Sequence, residues 1–189
     1  MFYNLLILSL AKFLSGFAGY IYDIGIASPL EISMIEDTLG MSSSWYGIGN
    51  TVEGIGMLIA SGFILGIMKK LKPENIILLG LFSAAMSYGV IGTAGNIWGY
   101  LCGAALVGAT STFCPLGFKT AVQIQSETKL VGRTFTASRF TILITRMVGS
   151  LLVGSMLTMW EIRMVYYFLA GFLMITAVVY YILFRKNRV

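Results

Sequence analysis

Apolar residues run along this chain in long blocks, and the blocks are separated by short charged or turn-rich breaks. Each block holds roughly 20 residues, enough for one helix to cross a hydrocarbon core of about 30 Å. The breaks predict six helices, at approximately 3–28, 44–68, 75–93, 97–120, 136–159 and 164–184. The connections carry their own signals. "PLEISMIEDTLGMSSS" is acidic and ends in serines suited to capping the second helix, "KKLKPEN" is a basic turn, "TAGN" is a tight polar turn, and "QSETKLVGRT" is a longer basic loop. The expected fold class is an all-α polytopic membrane protein, with residues 1–189 forming a single six-helix membrane domain.

Composition sharpens that expectation. Of the chain, 57% is hydrophobic and 11% charged, and the mean hydropathy is +0.84, far outside the range of an ordinary soluble domain. The first block begins almost at Met1 without a basic n-region or an A-x-A cleavage pattern, so it reads as the first span and not as a removable signal peptide. The net charge of +5 comes from basic clusters between spans: Lys69, Lys70 and Lys72, then Lys129 and Arg133, then Arg185, Lys186 and Arg188. Glu31, Glu36, Asp37 and Glu161 fall on the opposite side, with Arg163 as its only base. The positive-inside rule then sets both termini in the cytoplasm, which agrees with an even number of spans and removes nucleic acid as a partner.

The chain offers little to an enzyme. It contains no histidine, and Cys102 and Cys114 lie twelve residues apart on one expected helix, so zinc, haem and disulfide chemistry lack ligands and no cofactor is expected. Both cysteines read as packing residues. No nucleophile–base constellation is evident.

Glycine marks where helices should approach one another. The second helix holds Gly47, Gly49, Gly54, Gly56, Gly62 and Gly66, and the fifth holds Gly149 and a Ser150-x-x-x-Gly154 pair. Of these, Gly54, Gly62, Gly66, Gly149 and Gly154 are the candidate packing positions, although glycine is common in membrane helices generally.

Four ionisable residues lie deep in expected spans: Lys12 and Asp23 in the first, Glu53 in the second and Arg146 in the fifth. A charge at such depth costs about 2.5–3.5 kcal/mol for Arg or Lys on insertion scales, so these side chains are expected to face a bundle interior, a partner or a water-filled cavity. Lys12 and Asp23 point within about 20° of each other but stand roughly 16 Å apart along the helix. Lys12, Glu53 and Arg146 reach a similar level, near the midplane. Two readings stay open: a substrate or proton pathway, and a buried structural ion pair such as Glu53 with Arg146. The third and sixth helices carry no such charge and look lipid-facing. Tyr20, Tyr22 and Asn50 are candidate cavity contacts, with interfacial anchoring as the alternative for the tyrosines.

Around "PLGFKTAVQIQSETKLVGRTFTASR" the sequence resembles the major facilitator superfamily, specifically the C-terminal six-helix half of a bacterial drug-efflux transporter of the macrolide-exporter kind. Pro115, Thr120 and Gln123, then Gly132, Arg133 and Phe135, stand at the spacing of the segment joining the fourth and fifth helices of that half. Ser126 departs from it, a proline being frequent there. "GIMKKLKPENIILLG" resembles the family's degenerate loop between helices 2 and 3. The resemblance implies that helices 1, 2, 4 and 5 face a central cavity and that helices 3 and 6 face lipid. It also implies that Gln123, Gly132 and Arg133 belong to a cytoplasmic loop motif. One half does not make such a transporter, because substrate binds between two halves that rock against each other. A second transporter half, a homodimer, or a truncated product of a longer transporter are the options this leaves.

The function expected is that of a secondary active transporter component in the bacterial cytoplasmic membrane, an antiporter exporting small hydrophobic or cationic compounds with protons as coupling ion. Glu53 or Asp23 is the protonatable candidate, and Arg146 or Lys12 the competing cation. The alternative is a non-transporting membrane interaction or regulatory subunit.

Overall fold

The computed structural model describes residues 27–68, 70–125 and 131–186, which are helical almost throughout. A short helix α1 (Ala27–Ser33) runs on as a π-helical turn, Met34–Thr38, and is followed by α2 (Ser44–Met68), α3 (Pro73–Thr93), α4 (Ile97–Ser111), α5 (Phe113–Gln125), α6 (Val131–Met159) and α7 (Ile162–Lys186). Four stretches are long and apolar enough to cross a membrane: Ser44–Ile64, Pro73–Thr93, Ile97–Ala121 and Ile162–Ile182. The expected fifth span, 136–159, falls within α6. The expected first span lies outside the described residues except at its last two positions, which open α1.

Local chemistry sets the helix ends. Pro73 occupies the first turn of α3, where its missing N–H costs no hydrogen bond, after Lys72 in extended conformation. Asn96 caps α4, its side-chain oxygen accepting from the Gly99 N–H at 2.8 Å. At the other end of α3, Arg163 donates to the Ala94 carbonyl at 3.1 Å, placing a cation on the negative end of the helix. The stretch expected as one helix over 97–120 breaks at Thr112. Pro115, three residues on, has no N–H to offer the preceding turn, and the chain restarts as α5.

The largest departure from the sequence reading is the acidic connection after the first span. It is helical through Thr38, and Leu30, Met34 and Ile35 are buried in the main core with Val165, Tyr166 and Leu169 of α7 and Ile91 of α3. Leu30 and Met34 are one turn apart and therefore share a face. The π-turn ends with the Leu39 N–H on the Met34 carbonyl and the Met41 N–H on the Ile35 carbonyl, and Gly40 takes the left-handed conformation (φ +64°) that lets the chain reverse into α2.

Helix α3 is the hub of the described bundle, packing on α4, α5 and α7, while α2 packs chiefly on α4. Arg163 meets Ala94 just past the end of α3, while Tyr180 lies within electrostatic range of Glu74 near its start, so α3 and α7 run antiparallel. The charge-free helices expected to face lipid thus have two faces each. On α3, Ile77, Leu81 and Tyr88 are buried and Leu79, Phe82 and Met86 exposed; on α7, Val165, Leu173 and Tyr180 are buried and Ile175, Val178 and Ile182 exposed. Helix α6 touches α5 and α7 only lightly among the described residues, and Phe140, Met147 and Leu151 stand exposed on it. At its far end Trp160 meets Phe168 edge-on, with ring centroids 5.9 Å apart.

Candidate functional site

Close approach of α2 and α4 builds the site. A Cβ on Gly108 would fall on the main-chain carbonyl of Glu53 and lie 2.9 Å from its Cγ, and a Cβ on Gly56 would fall on the Ala105 carbonyl. Only glycine admits backbones this near one another. One end of the same seam is closed by Tyr100, whose Cε1 and hydroxyl both stand 3.0 Å from where a Gly49 Cβ would be. Glu53 is thereby fixed about 14 Å along α2 from Ser44, against the α4 backbone and half-buried.

These contacts change which glycines matter. Among the described residues, nothing comes within 4 Å of a Cβ built at Gly54, Gly62, Gly66 or Gly154. The surroundings of Gly149 lie outside the described residues. On α2 the close approaches are made by Gly49 and Gly56, which share no G-x-x-x-G pair. Elsewhere the same role falls to Gly80, whose Cβ would meet the Cys114 Sγ at 2.7 Å, and to Gly117, against Ile77 and the Pro73 carbonyl.

A buried carboxylate lies beside this seam. Glu31, expected in the acidic connection after the first span, is 2% exposed on α1. It lies within electrostatic range of Tyr100 on α4 and Tyr166 on α7; Glu53 and Tyr46 of α2 likewise act on Tyr100, and Tyr88 of α3 on Tyr166. Tyr100 and Tyr166 are both 0% exposed. Tyr100 turns its hydroxyl toward the Glu31 carboxylate, its hydrogen-bonding neighbour, whereas the Tyr166 hydroxyl completes no hydrogen bond. The rings of Tyr88 and Tyr166 are 6.4 Å apart and tilted by 34°. At the opposite end of the α3–α7 pair Glu74 and Cys114 act on Tyr180, and the Cys114 thiol reaches the Ile77 carbonyl at 3.6 Å.

Chemically, the arrangement holds one buried carboxylate, Glu31, and one half-buried, Glu53, within electrostatic range of a single buried tyrosine hydroxyl, a group that can both donate and accept. That suits proton exchange. It does not suit metal binding, since no group of three metal-ligating side chains comes together among the described residues. Both cysteines are free; Cys114 packs as expected, but Cys102 is exposed.

Of the residues singled out in the sequence, Glu53 lies in the site. Lys12 and Asp23, with Tyr20 and Tyr22, lie outside the described residues, as does the Arg146 side chain on α6, and with it any pairing of Arg146 with Glu53. Gln123 on α5 and Gly132 on α6 are exposed, the Arg133 side chain is outside the described residues, and Asn50 is exposed. Glu31, Tyr100 and Tyr166 were not expected in a site. The signal available for Glu31 was the i, i+4 spacing of Leu30 and Met34, which makes its connection half apolar. No family model matches the chain, and no curated protein matches its sequence.

Proposed function

We propose that this chain is a component of a secondary active transporter that exports a small hydrophobic or cationic compound in exchange for protons, with Glu53 as the coupling carboxylate. The observation that supports the reading is the setting of Glu53: a carboxylate held within an apolar span by a glycine-mediated helix crossing. Ionisable groups inside such spans are costly and mark substrate or proton paths. Protonation of Glu53 removes its attraction for a facing cation, with Arg146 or Lys12 as candidates, and shifts the balance between two access states.

In this reading both termini are cytoplasmic, so the end of the bundle carrying Glu31 faces outward. The exposed apolar faces of α2, with Leu58 and Phe63, and of α6, with Met147 and Leu151, offer surface to a second six-helix half or a second copy of the chain.

The test is proton-coupled efflux in proteoliposomes, with an internal pH dye and a panel of lipophilic cations. Glu53→Gln abolishes the coupled proton movement while insertion and helical content stay intact. Undiminished coupling in that variant removes Glu53 from the mechanism.

A further inference from the structure

We infer that the end of the bundle where α3 begins is a binding surface for anionic phospholipid headgroups, with Lys70, Lys72 and Lys119 as its phosphate contacts. The inference rests on the four apolar spans and is independent of the export reading.

Three segments bring the lysines to one level. Lys70 follows the end of α2, Lys72 immediately precedes Pro73 at the start of α3, and Lys119 lies on α5. A Cβ on Gly117 would stand 3.0 Å from the Pro73 carbonyl, so α5 passes the first residue of α3 at that point. Gly80 meets Cys114 and Ile77 meets Gly117, so the two helices are antiparallel and α5 is running out of the bundle. Lys119 is two residues further on, about 3 Å along α5, level with Lys72. All three lysines are exposed. Among the described residues, the acid nearest them in sequence is Glu74, which is half-buried with one carboxylate oxygen buried. Helix α7, antiparallel to α3, ends on Arg185 and Lys186 at this same end.

The level of the lysines fits a headgroup layer. Helix α3 is 21 residues long, about 30 Å, which matches the hydrocarbon core of a bilayer. Lys72 stands just before it, and Trp98, 69% exposed, stands just past its other end at the start of α4. Trp45 near the start of α2 and Trp160 between α6 and α7 share the end with Trp98, so all three tryptophans of the chain mark one interface and the lysines the other.

Apolar surface continues inward from the lysines. Asn75, Leu79, Phe82 and Met86 follow Lys72 on one side of α3, and all are exposed. Leu71, between two of the lysines, and Ile124, beyond Lys119, are exposed as well. A cationic rim above an apolar stripe matches a phosphate above acyl chains. Nucleic acid or a free phosphate would use the rim and leave the stripe without a role. A zwitterionic headgroup carries its own ammonium, whereas an anionic one does not, and each lysine near an anionic surface is worth about fivefold in affinity.

The experiment offers the full chain in detergent equal amounts of phosphatidylglycerol and phosphatidylcholine with the same acyl chains, and native mass spectrometry counts each lipid retained. Phosphatidylglycerol is retained in excess. Replacing the three lysines together, by Lys70→Gln, Lys72→Gln and Lys119→Gln, lowers that excess at least about tenfold with helical content unchanged, while the corresponding three arginine substitutions preserve it. The single glutamine variants, each lowering it by up to about fivefold, carry the test if the triple variant fails to fold. Equal retention of the two lipids, or an excess undiminished in the glutamine variants, overturns the surface. Loss of the excess in millimolar inorganic phosphate at constant ionic strength shows a site for free anions and overturns the lipid as its occupant.

Discussion

The substitution Gly108→Ala tests the architecture of the site at its tightest point. The added methyl would overlap the main-chain carbonyl of Glu53 and stand 2.9 Å from its Cγ, where ordinary carbon contacts begin near 3.4 Å. The Cγ can move by half an ångström through a change of rotamer. The carbonyl cannot, because it belongs to the hydrogen-bonded ladder of α2, so the two helices must separate along the whole 49–56 seam. Overpacking of this kind costs about 1–3 kcal/mol, and with a backbone atom as the obstacle about 2–3 kcal/mol is expected, a shift of roughly 30- to 150-fold in the unfolding equilibrium. The internal control is Gly62→Ala on α2, where a Cβ meets nothing within 4 Å. There alanine's better helix propensity should leave stability unchanged or raise it by up to about 1 kcal/mol. Reversible unfolding in mixed micelles, followed by circular dichroism, measures both. Equal stability of the two variants would mean that α2 and α4 do not cross at Gly108, and the position assigned to Glu53 would be lost with that crossing.

Other outcomes follow from single contacts. Tyr166→Phe should leave stability unchanged or raise it by up to about 1 kcal/mol, since the hydroxyl it removes is buried and makes no hydrogen bond; a loss larger than that in the same unfolding assay would reveal a partner for the hydroxyl. Asn96→Ala should cost about 1 kcal/mol by uncapping α4, and Asn96→Gly only a few tenths. In detergent, a maleimide should modify Cys102 well before Cys114, which is enclosed by Gly80 and Ile77; peptide mass mapping of a time course reads the order, and equal rates would contradict the packing of α5 on α3.

How far the sequence disclosed this arrangement depended on which physical signal each element carried. Spans are set by the thickness of the medium they cross, and α2, α3 and α7 start and stop within two residues of the expected positions. Pro115 was visible, but whether a proline bends a helix or interrupts it depends on what the freed carbonyl finds nearby. The 29–44 connection was misread because its three acids outweigh Leu30, Met34 and Ile35 in composition; their spacing, not their number, seats them against α7. Glycine pairs at 62 and 66 drew attention by pattern, whereas Gly49 and Gly56 make the contacts. Which face of a helix is used is decided by its neighbour, here Tyr100, Ala105 and Gly108, and no spacing within α2 encodes that. Glu53 was legible since a carboxylate in an apolar run is anomalous in one dimension; Glu31 was not, since its burial exists only in three.

The antiparallel seam of α3 and α7 also sets a timetable for synthesis. Arg163 and the Ala94 carbonyl it holds are 69 residues apart in the chain. At the pace of a ribosome, about 5–20 residues per second, α3 waits roughly 3–14 s for the helix that covers its polar seam. Through that interval Tyr88 lacks the Tyr166 ring that will lie beside it, and its α7 side is covered only by lipid, the insertion machinery or other helices already made. The nascent chain therefore passes through a stage in which the hub of the bundle is in place with its α7 side uncovered, and a ribosome stalled before Arg163 would leave it there for chaperones and membrane proteases to find.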